Sequence, residues 1–296
     1  RRRRWNGQVR LMCRLAGWVS DEPRTLAEVL GERALARLVQ LSTVHGHGWG
    51  LAYLDSASGQ LRSHRSTAAA RSDPDFVTVA HEIATTAGLV HLRWATPGFG
   101  WGLANTHPFV RENWAMMHNG AIGPAALVSG LRGRTPEHGA PAEDRQPLGS
   151  TDSESFFLAV LDEFAVTDQV ISAGGSALAE AVARISDRAV RAGLSASSLN
   201  SMFLGPSGVH VLNWHDATQV PDIMLSTPDD PAPPPYYDLC HLQTAGLHVV
   251  VSSGFVEDLD RWTPLPNESV LSIDFAGRQQ LHPVPVLTSL CRLGPG

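Results

Sequence analysis

Short apolar runs follow one another through tight polar turns along most of this chain, and this restricts its fold more than any other feature. "GWGLAYLD" reads as a strand entered through glycines, and "GQLRSHRS" as its hairpin partner across the turn "SASG". "GLVHLRWAT" reads as a strand, followed by a glycine-rich turn and the irregular "ANTHPFV". "NWAMMHNG" predicts a short strand ending in a tight turn, because Asn119 and Gly120 both tolerate positive φ. Later stretches, "LNSMFLGPSGVHVLNWHD", "AGLHVVVSSGF" and "SVLSIDFAGRQQLHPV", alternate strand runs with turns.

Helical signals come in blocks. Leu26, Val29, Leu30, Leu35, Leu38 and Leu41 recur at helical spacing between Arg24 and Leu41. "PDFVTVAHEIATTA" reads as a helix with Pro74 near its start, and "STDSESFFLAVLDEFA" and "SALAEAVARISDRAV" read as two more. Strands in consecutive runs with helices in blocks predict an α+β fold, antiparallel sheets covered by helices. Residues 132–149 and 226–237 have loop composition, and the first of these is a candidate lid. Neither looks like a linker between independent cores, so a single domain over residues 13–290 is expected.

A chain with 43% hydrophobic residues suits a packed core, and no apolar run has the roughly 18 to 20 residues of a membrane helix. A net charge of −6 argues against nucleic-acid binding, which needs a positive surface. The basic run Arg1–Arg4 is followed by no apolar segment and cleavage site, so it does not read as an export signal. Cys13, Cys240 and Cys291 are scattered and form no CxxC pair, which suggests reduced thiols in a cytoplasmic protein.

Four stretches concentrate unusual chemistry: "MCRLAGW", "HLRWATPG", "MMHNGAI" and "GSTDSE". Met12 directly before Cys13 suggests a true start, with residues 1–12 as a leader or misassigned start. Loss of Met12 would leave Cys13 with a thiol and an α-amine on one residue, and such an amine (pKa about 7.7 to 8.0) can activate its own side chain. Arg93, costly in an apolar strand unless paired, suits a structural acid or a ligand carboxylate. Thr96 and the turn after it would allow a ligand close to the backbone. Asn119 and Gly120 offer two donors of the kind an oxyanion hole needs. Thr151 and Glu154 form a capping box that puts Asp152 in a helix's first turn, where it could cap the dipole or hold a ligand ammonium. Arg93 and Asp152 would grip the two charges of an α-amino acid, which points to glutamine or a γ-glutamyl compound. A rival reading is a metal-dependent hydrolase using His45 and His47, two apart on one strand face. No HExxH helix completes a ligand set for it.

The order Cys-Arg, "HLRWATPG", "NTHPF", "HNG" and "TDSE" resembles the class II glutamine amidotransferases, members of the N-terminal-nucleophile hydrolases. The likeness runs from Cys13 to about Phe164, and more loosely through "LN" at 199–200, "VVVSSGF" and "WTPLP". That ending resembles small stand-alone members, including the γ-glutamyl hydrolases of the ergothioneine pathway. The resemblance implies a four-layer αββα sandwich, two antiparallel sheets between helical layers. It further implies Cys13 as nucleophile, Arg93 as carboxylate binder with Trp94 and Thr96 shaping its pocket, Asn119 and Gly120 as oxyanion hole, and Asp152 as binder of the α-amine. No metal or organic cofactor is implied.

The expected reaction hydrolyses glutamine's side-chain amide through a γ-glutamyl thioester and releases ammonia. The alternative is a free hydrolase of a γ-glutamyl small molecule, and a third class is a binding protein that keeps the pocket without a free amine. Nothing after residue 165 resembles a synthase domain and no GxxxxGK[ST] loop occurs, so an ammonia acceptor would be a separate subunit. Two features depart from the family pattern. Twelve residues precede Cys13, and His47 stands before "GWG" where stand-alone relatives tend to carry aspartate.

Overall fold

The structure, a computed structural model, describes residues 13–43, 45–95, 100–132, 146–166, 174–216, 237–252, 256 and 258–284. The first half contains β1 (Arg14–Arg24), α1 (Leu26–Leu30), α2 (Glu32–Leu41), β2 (Trp49–Leu54), β3 (Leu61–Ser66), α3 (Pro74–Glu82) and β4 (Thr85–Leu92). Then come β5 (Phe109–Arg111), β6 (Trp114–Ala121), α4 (Ala125–Ser129), α5 (Asp152–Val166) and α6 (Gly175–Arg191). The remainder is β7 (Ser198–Gly205), β8 (Gly208–Asn213), β9 (Leu239–Thr244), β10 (Leu247–Ser252), β11 (Thr263–Pro264), β12 (Ser269–Ile273) and β13 (Gln279–Pro283).

Among the described residues these strands form two sheets, in the orders β11-β9-β10-β1-β4-β2-β3 and β13-β12-β8-β7-β6-β5. Every pairing is antiparallel. The layers follow from side-chain alternation, which sends successive residues of a strand to opposite faces. In β1, Leu15 and Val19 join Leu89, Met117, Met202 and Val211 in a core between the sheets. The intervening Ala16 and Trp18 pack with Leu26, Leu35 and Phe76 under α1–α3. On the other side Met116 and Phe203 meet Phe156, Val160 and Val182 of α5 and α6. The result is the αββα sandwich the resemblance implied. A Cβ at Gly88 would lie 2.4 Å from the indole of Trp18, so β4 needs glycine there for that ring to lie across it.

Several local expectations change. The helix expected over 24–41 is two helices, broken at Gly31, whose φ of 77° puts it outside the helical region. Thr25 and Glu28 cap the first with a complete capping box. The helix opening at Pro74 ends at Glu82, and the β-branched Thr85 and Thr86 start β4 instead. Strand β9 was not anticipated. "HNG" is no turn: Asn119 pairs with Asn200 and Gly120 with Leu199 inside β6 and β7. Neither lies in the left-handed region, so the glycine is needed for space, since its Cβ would fall 1.9 Å from the Ser198 carbonyl oxygen.

The expected capping box at α5 forms in one direction only. The Glu154 N–H donates to Thr151 Oγ1 at 3.2 Å. The Glu154 carboxylate, buried with its residue 1% exposed, turns away to accept from Leu148 N at 3.0 Å, Gly149 N at 2.7 Å and Arg111 Nη2 at 2.7 Å. It therefore fixes the segment that delivers Asp152. Glu154→Ala would leave the Gly149 N–H and the Arg111 guanidinium without their acceptor, and should destabilise the fold by about 1–3 kcal/mol, read as a lower urea midpoint. A loss below about 1 kcal/mol would contradict this role.

Burial, then the charge of Arg93, pushes His91 down to about 3, against an upward pull from the His118 backbone. In an unfolded chain His titrates near 6.5, so between about pH 3 and 6.5 the unfolded state binds the extra proton. Stability from this site is therefore complete above about pH 6.5 and is lost on acidification through that window. The urea midpoint should fall between pH 7.5 and pH 5, and the drop should shrink in His91→Phe. An equal drop in both proteins would remove His91 as its source.

Candidate active site

Inward-facing rows of the two sheets converge on Cys13. The row of Leu15 and Val19 on β1 continues back to Cys13, which lies just outside the strand and is 7% exposed. The row of Ala115 and Met117 on β6 continues to Asn119. The two meet where Cys13 N donates to Asn119 Oδ1 at 3.1 Å. Asn119 Nδ2, the other end of that amide, is buried and has no partner among the described residues. A donor left unsatisfied in the interior is costly and invites an acceptor.

Arg14 pairs with Leu92 across β1 and β4, so the residues just beyond both strand ends, Cys13 and Arg93, are neighbours. Arg93 thus lies past the strand rather than within it as the pattern suggested. Its backbone is tied to the segment before β2, with His47 N donating to Arg93 O at 3.1 Å and Arg93 N to Gly48 O at 2.8 Å. Arg93 Nη1 also donates to His47 O at 3.4 Å, and the side chain is buried. Trp94 N donates to Cys13 Sγ at 3.4 Å, and the thiol faces Trp94 O at 3.8 Å. Burial pushes the Cys13 thiol up to about 11, against the lowering pull of the Trp94 N–H, Arg93 and Arg14, while Asp152 adds to the rise. At neutral pH such a thiol keeps its proton until a base takes it.

Asp152, also buried, accepts from Ile122 N and Ser153 N, each at 2.9 Å, and so closes the end of β6 against α5. His118 reinforces the junction. Its Nε2 donates to the Ser198 carbonyl at 3.1 Å, which leaves Nδ1 to accept from Ser153 Oγ at 2.9 Å. Ser198 Oγ donates in turn to Asn119 O at 2.8 Å. The contacts that join His118 to Ser153 and Ser198 cross 35 and 80 residues of sequence, beyond the reach of any local motif. The structure brings Cys13, Arg93, Trp94, Asn119, Gly120 and Asp152 into one neighbourhood, while Thr96 lies outside the described residues. So does most of the candidate lid, residues 133–145.

The expected histidine pair is not on a strand. His45 and His47 lie in the segment before β2 and meet the Trp94 ring edge-on, with centroids 5.6 and 5.5 Å away. His47 Nδ1 accepts from Ala95 N at 2.9 Å, so that lone pair is used. Among the described residues no three His, Cys, Asp or Glu side chains come together as a metal site. Neither histidine ring therefore belongs to the strand-face pair that the spacing suggested. Cys13 and Cys240 are buried and unpaired with each other, and Cys291 lies outside the described residues. No helix among the described residues is long and apolar enough to cross a membrane.

This chain is similar in sequence and fold to several known proteins. A γ-glutamyl-hercynylcysteine sulfoxide hydrolase of Mycobacterium tuberculosis is 30% identical over 126 residues, 40% of this chain and 53% of that one. The hydrolase of the same name from Mycolicibacterium smegmatis is 26% identical over 256 residues, 81% of this chain and 99% of the other. The matches at 30% identity, from Haemophilus influenzae and Mycobacterium tuberculosis, span about half the length of those relatives. The solved structure of a glutamine aminotransferase class-II domain protein from Silicibacter pomeroyi superposes with a TM-score of 0.57 at 23% identity, covering 92% of this chain and 99% of that one. It shares the fold. The family model for class-II glutamine amidotransferases matches residues 12–199, more than half of the sequence, and the chain belongs to that family.

Proposed function

We propose that this protein hydrolyses a γ-glutamyl amide with Cys13 as nucleophile. The observation that carries the reading is the single hydrogen bond joining Cys13 N to Asn119 Oδ1, with the buried Nδ2 of the same amide unmatched. In a form that begins at Cys13, this bond takes one hydrogen of the α-amine and orients the nitrogen beside its own thiol. The amine lone pair then accepts the thiol proton, which burial otherwise holds in place. While a residue precedes Cys13 the nitrogen is an amide and cannot act as that base.

Sulfur attacks the side-chain carbonyl carbon, and the oxyanion accepts from Asn119 Nδ2 and the Gly120 N–H. The carbon–nitrogen bond breaks as the α-amine passes its proton to the leaving nitrogen. A γ-glutamyl thioester remains, and water cleaves it to restore the thiol and release glutamate. Arg93, beside Cys13, binds the substrate α-carboxylate, with Trp94 and Thr96 shaping that pocket, and Asp152 binds the α-ammonium. The chemistry of these steps uses only protein groups and water.

With glutamine as substrate the product is ammonia, handed to a separate synthase subunit or released. A second reading, a stand-alone hydrolase of a γ-glutamyl metabolite, is favoured by the match that covers nearly all of the Mycolicibacterium smegmatis hydrolase. A diazoketone analogue of glutamine tests the common chemistry. Intact-mass analysis should find one adduct, on Cys13 of a chain that begins there, and an excess of glutamine should prevent it. Labelling elsewhere, or none, would overturn the assignment. Turnover of γ-glutamyl amides by the purified protein alone would favour the second reading, and glutamine-dependent activity only with a synthase would favour the first.

A further inference from the structure

Beside the proposed nucleophile the chain exposes a large aromatic surface. Trp101 is 75% exposed, unusual for an indole, yet it does not hang free. Its ring lies against His47, with centroids 4.6 Å apart and planes inclined by 44°. His47 meets Trp94 edge-on at 5.5 Å, and the Trp94 backbone touches Cys13 Sγ. From Trp94, whose backbone touches the sulfur, a row of three rings thus runs through His47 to Trp101 at the solvent. Its middle member is held firmly, because His47 is bonded through its backbone N and O to Arg93 and through Nδ1 to Ala95 N. That last bond makes Nδ1 an acceptor and leaves the proton on Nε2. Burial and the charge of Arg93 keep this imidazole's pKa low, so it is neutral at pH 7. The row therefore carries no charge.

Water gains little by covering such a surface, and ammonia makes no use of it. A flat apolar group does, because offset stacking on indole and imidazole adds to simple burial. We infer that Trp101 and His47 form the leaving-group subsite, and that the preferred substrates are γ-glutamyl amides of amines bearing a flat aromatic or heteroaromatic ring. The inference rests on the γ-glutamyl hydrolase reading above. It makes Trp101 a specificity residue outside the bond-breaking steps.

The test compares two amides that differ in flatness and little in amine basicity, γ-glutamyl-3-phenylpropylamide and γ-glutamyl-3-cyclohexylpropylamide, with glutamine as a third substrate. The wild-type protein should favour the phenylpropylamide in kcat/KM over the saturated analogue by about three- to tenfold, the worth of one stacked pair. Trp101→Ala should bring that ratio near one, and Trp101→Phe should restore most of it. Because Trp101 is exposed, its removal should leave the thermal midpoint unchanged, which separates lost recognition from lost folding. A wild-type ratio near one, or a ratio unchanged in Trp101→Ala, overturns this inference and leaves the hydrolase reading standing. Failure of Cys13-dependent turnover on all three substrates overturns both.

Discussion

Cys13→Ala is expected to abolish the proposed glutaminase or γ-glutamyl amidase turnover, with no residual rate above the uncatalysed background, and to leave the fold intact. Alanine keeps the backbone nitrogen and its bond to Asn119 Oδ1 and removes only the sulfur. The thiol is buried among Trp94, Arg93 and Asn119, and its loss leaves a hole of about one atom, which costs about 1 kcal/mol or less. Activity is a different matter, because no other described cysteine is near: Cys240 is on β9, and burial, reinforced by Asp238, pushes its thiol up to about 12. The measurement is ammonia or amine release at saturating substrate, beside a urea melt of the same protein. Retained turnover in Cys13→Ala would end the nucleophile assignment. A version in which Cys13 is kept but a blocking residue cannot be removed should be equally inactive, since its nitrogen is then an amide.

The second large effect is expected at Asn119. Its carboxamide has two tasks, with Oδ1 fixing Cys13 N and Nδ2 buried and available to a developing oxyanion. Asn119→Ala should lower kcat by about 10²- to 10³-fold, with KM for glutamine moving far less, because an oxyanion donor acts mainly in the transition state. Asn119→Asp tests the donor alone, since it can still face the Cys13 nitrogen but offers the oxyanion a like charge, and it should be at least as damaging. A loss of binding with an unchanged kcat would instead make Asn119 a substrate clamp. Gly120 is constrained differently. Any side chain there meets the Ser198 carbonyl at 1.9 Å and must push β6 from β7, so Gly120→Ala should cost both stability and turnover.

Much of the fold could be read from the chain. Apolar runs bounded by turns marked β2 and β4, the turn "SASG" marked β3 as the partner of β2, and Pro74 and the Thr151–Glu154 pair marked the starts of α3 and α5, because each of these signals is local. The errors share one cause. Asn119–Gly120 has the chemistry of a turn, and a local reading cannot see that β7 brings the Ser198 carbonyl up to the glycine from 78 positions away. The helix expected between Arg24 and Leu41 kept its apolar spacing but broke at Gly31, where backbone freedom outweighs periodicity. His45 and His47 had metal-ligand spacing, yet their segment is not a strand and both rings turn to Trp94.

By itself the sequence determined an α+β fold of antiparallel sheets covered by helices and the short motifs that hold unusual side chains, because both depend on residue type and on spacing within a few positions; the four-layer αββα arrangement was implied only by the family resemblance those motifs carry. Tertiary structure alone decided that Cys13, Arg93, Asn119 and Asp152 share one neighbourhood. Sheet register set it, joining β1 to β4 in one sheet and β6 to β7 in the other, and packing then laid the inner rows of the two sheets against each other. The same folding placed Trp101 on His47, 54 residues earlier in the chain, a contact that no spacing rule encodes. A side chain's chemistry is carried by its own letter, but what it faces is fixed by a strand or loop whose position depends on the burial of the whole core.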